Sequence, residues 1–317
     1  EHNRKLVLVC NSSGPITLTE YVQDCNAILC PYFAGQAGGK VVTDAIFGLY
    51  NPSGKLTDTW PKAYCDTPSY KNYGGENKEV WYGEGIYVGY RWYDARKIEP
   101  LFPFGYGLSY TSFAFSDLQV EDTDVEKEDI MVKVSVENTG NMAGAEVVQL
   151  YVASPKSSFD KPEKELKGFQ KVYLQPGEKT EVTLTVSKED LAHYHTALEE
   201  FVTESGTYRI LVGNSSRDIV LSKEIQVICH DPFGWNVITG IGKLVSNPKA
   251  VEIMNQAIGD DINLVAAVPI QYAPDYTLKE LWETESSAVS TLFSKQGKTA
   301  EEKKQAWDYI VKEFKKL

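Results

Sequence analysis

Between residues 111 and 228 apolar and polar residues alternate with period two, and this pattern restricts the possible folds more than any other feature of the chain. In Met131-Val-Lys-Val-Ser-Val-Glu137 the three valines fall on one side and Met131, Lys133, Ser135 and Glu137 on the other. A strand sorts such residues onto two faces, whereas a helix would scatter them. Glu146-Val-Val-Gln-Leu-Tyr-Val152, Glu181-Val-Thr-Leu-Thr-Val186, Thr207-Tyr-Arg-Ile-Leu-Val212 and Ile219-Val-Leu221 are further strand-like runs. Turn formers separate them at Asn138-Thr-Gly-Asn141, Gln175-Pro-Gly-Glu178, Glu204-Ser-Gly206 and Gly213-Asn-Ser215. About seven short strands over roughly 110 residues predict an antiparallel β-sandwich.

The flanking segments do not share this period. Residues 1–62 read as α/β: Lys5-Leu-Val-Leu-Val-Cys10 and Asn26-Ala-Ile-Leu-Cys-Pro-Tyr-Phe33 are continuous apolar runs, as expected of strands buried on both faces. Residues 17–25 are expected to form a short helix capped by threonine. Gly35 and Gln36 are expected to lead into a second helix through Tyr50, with Val41, Val42, Ala45, Ile46 and Leu49 on one face. Two strands and two helices cannot enclose a core, so this segment is expected to be the C-terminal end of a larger α/β domain. Residues 63–110 are rich in Trp, Tyr, Gly and Pro and show no period, which describes a long irregular segment pinned to a neighbour or used in function. Residues 229–317 turn helical: Asn247-Pro248 opens one helix through Ile258, Thr277 to Glu285 gives a second, and the capping box Thr299-Ala-Glu-Glu302 starts a third. The expected class is therefore multidomain, α/β plus all-β: a partial α/β sandwich domain (1–62), an aromatic irregular linker (63–110), a β-sandwich of the fibronectin type III kind (111–228) and a small helical tail (229–317).

Composition narrows the partners. The 317 residues carry a net charge of −12, which disfavours nucleic acid. No apolar run reaches the roughly 18 residues that span a bilayer, so no membrane partner is expected. The start, Glu1-His-Asn-Arg4, does not read as a signal peptide, and the absence of an initiating Met suggests a chain that begins inside a longer product. Five cysteines, Cys10, Cys25, Cys30, Cys65 and Cys229, form no disulfide framework and favour a reducing, cytoplasmic setting.

Single motifs do not reveal a chemistry. Gly35-Gln-Ala-Gly-Gly-Lys40 follows a strand and opens a helix, but its spacing departs from a phosphate loop and Lys40 precedes Val41. His193 and His195 share one side of a strand without a third ligand placed by spacing, so no metal is expected. Asp44, Asp58, Glu84 and Asp94 lie in or near the α/β and aromatic segments, where most carboxylates cap, pair or face water. The residues alone assign no acid or base.

Taken together and in order, several segments resemble the second half of the glycoside hydrolases of family three, the β-glucosidase type. These are Lys5-Leu-Val-Leu-Val-Cys-Asn-Ser-Ser-Gly-Pro15, Gly35-Gln-Ala-Gly-Gly39, Ala45-Ile-Phe-Gly-Leu-Tyr-Asn-Pro-Ser-Gly-Lys-Leu-Thr57 and Trp60-Pro61. Tyr82-Gly-Glu-Gly-Ile-Tyr-Val-Gly-Tyr-Arg-Trp-Tyr-Asp94 and Pro103-Phe-Gly-Tyr-Gly-Leu-Ser-Tyr-Thr111 follow. Asn138-Thr-Gly140, Gly144-Ala-Glu-Val-Val-Gln-Leu-Tyr151, Lys164-Glu-Leu-Lys-Gly-Phe169 and Leu174-Gln-Pro-Gly-Glu178 resemble the family's fibronectin-like domain. The tail from Pro248 resembles, loosely, an extension of some bacterial members.

The resemblance implies a retaining hydrolase of terminal β-linked sugars with two carboxylates about 5–5.5 Å apart. It also implies that both lie outside this chain: an Asp nucleophile on an N-terminal barrel, and a Glu acid/base in a loop before Lys5. Glu84 in Gly83-Glu-Gly85 is superficially similar to that loop but falls after the Asn51-Pro-Ser-Gly54 turn, so no catalytic residue, cofactor or metal is expected here. The implied partners are the N-terminal half of the same enzyme or a second copy, and an oligosaccharide or β-glucoside substrate. Trp81 and Tyr82 are the expected substrate-binding residues, with Tyr90, Trp92 and Tyr93 fastening their loop to the sandwich. A free-standing carbohydrate- or protein-binding module is the alternative.

Overall fold

The computed structural model describes residues 5–317 except Asp122, Ser158, Ala197 and 230–235. The start Glu1-His-Asn-Arg4 read above lies outside the described residues. The chain divides into two compact units: Glu1–Leu191 with Ser205–Ile228, and Ala192–Glu204 with Cys229–Leu317.

In the first unit, strands β1 (Val7–Val9) and β2 (Ala27–Leu29) pair in parallel, Leu8 opposite Ile28. Helix α1 spans Gly38–Ile46, and a short helix, α2, spans Tyr90–Ala95. The strands β3 (Phe113–Glu121), β4 (Ile130–Asn138), β5 (Gly144–Ala153), β6 (Glu165–Leu174) and β7 (Lys179–Val186) follow. After the turn α3 (Lys188–Leu191), the hairpin β8 (His193–His195) and β9 (Glu200–Val202) belongs to the second unit, and β10 (Gly206–Gly213) and β11 (Ile219–Val227) belong again to the first. One sheet has the order β11-β10-β5-β6 and the other β3-β4-β7, all antiparallel.

The alternation works as expected on β4: Ile130, Val132, Val134 and Val136 are fully buried while the residues between them are partly exposed. Each buried side chain contributes about 1.5–3 kcal/mol of transfer free energy. Strand β5 departs from the pattern, because both of its faces are covered and even Glu146 and Gln149 are buried. Its second face is closed by the aromatic segment.

The α/β segment differs from expectation in how little of it is buried. Val7 is 37% and Val9 39% exposed, and of the expected apolar face of α1 only Ala45 is buried. The strand pair and the loops around it supply one small core, Cys10, Leu18 and Trp60, to which α1 adds nothing. Helix α1 is also shorter than expected: Gly35–Ala37 form a 3₁₀ turn before it, and Gly48 adopts φ +71° just after it. The helix expected at 17–25 is only a 3₁₀ turn, Val22–Asp24; the Thr19 hydroxyl donates to the Lys62 carbonyl at 2.6 Å instead of capping.

The second unit packs helices α4 (Ile241–Leu244), α5 (Pro248–Ile258), α6 (Ile262–Val265), α7 (Ala267–Tyr272), α8 (Leu278–Glu283), α9 (Ala288–Lys295) and α10 (Ala300–Phe314). Their core includes Ile241, Leu244, Met254, Ile258, Leu278 and Ile310, all fully buried. The expected starts hold: Asn247 accepts from the Lys249 N–H, and Thr277 and Thr299 form capping boxes with Glu280 and Glu302. No helix of the described residues is long and apolar enough to cross a membrane.

Candidate functional site

The aromatic segment divides into residues held by the sandwich and residues left in solvent. Gly89, at φ +58°, turns the chain into α2, where Tyr90, Tyr93 and Asp94 are buried. The Tyr90 hydroxyl accepts from the Leu166 N–H at 2.8 Å, and its ring stacks on Phe104 at 5.0 Å and meets Tyr151 edge-on at 5.9 Å. Burial pushes the Tyr93 hydroxyl up to about 12 and raises those of Tyr90 and Tyr151, so all three stay protonated and act as packing residues with a polar tip. Trp92 Nε1 donates to the Asp66 carbonyl at 3.0 Å. The Asp94 carboxylate is held between Lys164 Nζ at 2.6 Å and Arg217 Nε at 2.8 Å.

The turns around this segment fasten it further. Asn51 Oδ1 accepts from the Ser109 hydroxyl (3.0 Å) and the Tyr110 N–H (2.9 Å), and its Nδ2 donates to the Ala143 carbonyl. Lys55 pairs with Glu146 at 2.7 Å and donates to the Gly107 carbonyl at 2.9 Å. Gly105, at φ +78°, lets its carbonyl accept from Gln149 Nε2; a Cβ there would lie 2.2 Å from Gln149 Oε1. At Gly107 a Cβ would lie 2.4 Å from the Gly54 carbonyl oxygen, so the two turns can touch only through glycine.

By contrast Trp81 is 74%, Tyr82 80% and Tyr73 80% exposed. Trp81 and Tyr82 border Gly83-Glu84-Gly85, where Gly83 packs against the Asn72 amide. Glu84 is half-buried, and its Oε2 atom has no hydrogen-bond partner among the described residues. Exposed flat rings can stack on the C–H face of a sugar; the unpartnered Glu84 oxygen is itself buried and does not face solvent.

The other expected candidates are engaged elsewhere. Asp44 pairs with Lys40 one helical turn away, Asp58 accepts from the Thr57 hydroxyl at 3.0 Å, and Asp94 sits in its ion network. His193 and His195 both lie on β8, each partly buried, and no three His, Cys, Asp or Glu among the described residues are grouped to hold a metal. The Gly35–Gly39 turn lines an open cleft of about 420 Å³ with Val9, Asn11, Phe33 and Val42, at the carboxyl ends of β1 and β2.

Sequence reasoning missed Lys55–Glu146 and the Asp94 clamp. Their partners lie far apart along the chain, and no local period or spacing links them.

Two family models match parts of the chain. Residues 1–90 match the glycosyl hydrolase family 3 C-terminal domain, and residues 146–216 match the fibronectin type III-like domain. The thermostable beta-glucosidase B of Acetivibrio thermocellus is 48% identical over 228 residues, covering 72% of this chain and 30% of that protein. The structure of beta-glucosidase 3B from Thermotoga neapolitana in complex with alpha-D-glucose matches with TM-score 0.66 at 43% identity, over 70% of this chain and 31% of that one. The Bifidobacterium adolescentis GH3 beta-glucosidase matches with TM-score 0.69 at 35% identity, over 79% and 37%. The chain thus spans about 30% of the length of the curated relatives it matches.

Proposed function

We propose, for a chain that belongs to glycosyl hydrolase family 3 as a C-terminal portion of it, that it serves as the non-catalytic part of a retaining β-glucosidase. The enzyme would hydrolyse terminal β-linked sugars. An N-terminal barrel would supply the nucleophilic Asp, and a loop preceding Lys5 the acid/base Glu, about 5–5.5 Å apart. This chain would complete the α/β domain, carry the sandwich and wall the outer sugar subsites with Trp81 and Tyr82. A cytoplasmic setting fits the five cysteines, all unoxidised.

The observation that supports this best is the uncovered apolar surface of the α/β segment. Phe33 (74%), Phe47 (76%) and Leu49 (78%) stand in solvent beside the exposed faces of β1 and α1. So many apolar side chains left exposed on one short segment fit a face that binds another protein surface, here the rest of the α/β domain. The N-terminal half of the same enzyme is the proposed partner, or a second copy of this chain.

The test is hydrolysis of an aryl β-glucoside. The chain alone should show no turnover, and adding the N-terminal half should restore it. Turnover by the chain alone, lost in Glu84→Gln, would place the acid/base here and overturn the proposal. In the complete enzyme, Trp81→Ala or Tyr82→Ala should raise KM for a β-linked disaccharide more than for an aryl glucoside. Equal effects on both substrates with a lower Tm would reduce the two rings to packing. The exposed ring pair also favours a second reading, a free-standing carbohydrate-binding module; it predicts that the chain alone binds a disaccharide by calorimetry while the N-terminal half adds nothing.

A further inference from the structure

We propose that Asp94 is a positioning residue for the exposed rings Trp81 and Tyr82: its buried carboxylate fixes α2, and α2 holds both ends of the loop that carries them. The functional half of this inference rests on that loop being a wall of the sugar site.

Helix α2 has six residues, too few to hold a place by helix propensity. Its position comes from what grips it. Asp94 is 4% exposed, and its two oxygens are taken by cations from remote parts of the chain: Lys164, just before β6, and Arg217, in the β10–β11 turn. The Arg217 guanidinium reaches further along the same segment, donating to the Ile98 carbonyl at 3.1 Å and standing 3.6 Å from Glu99. Burying a carboxylate costs several kcal/mol of desolvation, which only close, well-directed partners offset. Apolar packing tolerates sliding, but a carboxylate clamped on both oxygens does not, so the network sets where α2 sits rather than only how tightly.

The loop inherits that position at both ends. Gly89 joins it directly to the first turn of α2, and Trp92 on α2 holds the other end through the Asp66 carbonyl. Between these points the loop's own backbone hydrogen bonds are local, such as Glu76 with Glu79, Gly85 N–H to the Tyr82 carbonyl and Tyr87 N–H to the Glu84 carbonyl. The Tyr87 hydroxyl donates to Asp160, a contact on the protein surface. Trp81 and Tyr82 are almost free of burial, so nothing beneath them fixes their place independently of α2.

Hydrogen–deuterium exchange of the chain tests the positioning role without any sugar. In Asp94→Asn the amides of residues 67–89 should exchange at least about tenfold faster, while those of β4 stay unchanged. Acceleration spread evenly through the sandwich would mean that Asp94 only stabilises the fold, and no acceleration would mean that it holds nothing; either overturns the proposal. Should Asp94→Asn fail to fold, Arg217→Gln leaves the Asp94–Lys164 pair intact and should show the same local pattern. In the complete enzyme, Asp94→Asn should raise the disaccharide KM about threefold or more with kcat little changed, and should have no further effect in a Trp81→Ala background. An equal factor in both backgrounds would sever Asp94 from Trp81 and overturn the inference. A Trp81→Ala enzyme with unchanged disaccharide KM would instead defeat the sugar-wall reading, and the exchange result would still decide the positioning role.

Discussion

The Lys55 ammonium stands 2.7 Å from the Glu146 carboxylate, with only 11% and 8% of the two side chains exposed, so one ion pair joins the α/β segment to β5 through a dry contact. Glu146 also accepts from the Val147 N–H at 2.6 Å, and Lys55 from its side reaches the Gly107 carbonyl. Removing one partner of such a pair strands the other charge away from water. Glu146→Gln or Lys55→Met should therefore destabilise the first unit by about 3–5 kcal/mol. The double variant Lys55→Met/Glu146→Leu should recover most of that loss. Urea unfolding followed by tryptophan fluorescence reads all three, and a loss below 1 kcal/mol in the single variants would show the pair to be solvated.

Asn138 should be equally intolerant of change. It is fully buried, its Nδ2 donates to the Met142 and Leu174 carbonyls, and its Oδ1 accepts from the Thr111 hydroxyl at 2.7 Å and the Gly140 N–H at 3.1 Å. Asn138→Ala leaves these groups without partners, each costing about 1–3 kcal/mol when it stays dry. A loss of roughly 3 kcal/mol or more is expected, whereas Thr139→Ala, on an exposed neighbour, should change stability by under about 1 kcal/mol.

Acid should act on the second unit through its capping boxes. Backbone and hydroxyl hydrogen bonds from Thr277 and Thr299 hold the Glu280 and Glu302 carboxyls below their ordinary range. A depressed folded value means that the stabilisation is complete above the unfolded value of about 4.3 and is lost as the pH falls through the folded one. Glu280→Gln/Glu302→Gln should lower the Tm of the helices at pH 7 and lower it progressively less as the pH falls below about 4.3, flattening the dependence there. A Tm difference that stays the same as the pH falls below about 4.3 would mean that the charge is not what matters.

The thiols should separate by burial. Burial pushes the Cys30 thiol up to about 12 and raises Cys10, so neither forms thiolate at pH 8, while Cys65 is exposed. Iodoacetamide should modify Cys65 in the native chain and reach Cys10 and Cys30 only after unfolding. Labelling of Cys30 before Cys65, located by peptide mass, would contradict the packing around β1 and β2.

What the sequence made legible was local. The period of β4, the proline-glycine and asparagine-glycine turns, and the caps at Asn247, Thr277 and Thr299 each act within a few residues, and each appears where expected. Burial of β1 and α1 was overestimated, because an apolar run reports what a segment can bury against, not what the chain supplies. The covered second face of β5 was not visible either: Gln149 and Tyr151 read as part of an ordinary alternating strand until Gly105 and Tyr90 meet them. The same limit hid Asp94, whose partners Lys164 and Arg217 are brought to it only by the fold. Trp81 and Tyr82 are named from residue type and resemblance, and nothing local in the sequence shows that their side chains stand exposed.

The sandwich provides the last prediction. Residues 111–228 hold both sheets, and that span expressed alone should unfold cooperatively. It should nonetheless be weaker than residues 51–228. In the shorter span Glu146 and Lys164 lose their partners, but water reaches them at once, so the penalty of a stranded charge does not arise as it does in Glu146→Gln. The loss comes instead from apolar contact: Tyr151, Ala153 and Leu211 are closed over by Tyr90 and Phe104, and stripping that cover re-exposes them. A few side chains at about 1.5–3 kcal/mol each place the difference near 3–5 kcal/mol once partial burial is allowed for. Denaturant midpoints and slopes of the two spans measure it, and the slope should rise with the longer span because more surface is exposed on unfolding. Equal stability would show that the aromatic segment merely rests on β5, and a gradual melt of 111–228 would show that the sandwich needs its neighbour in order to fold.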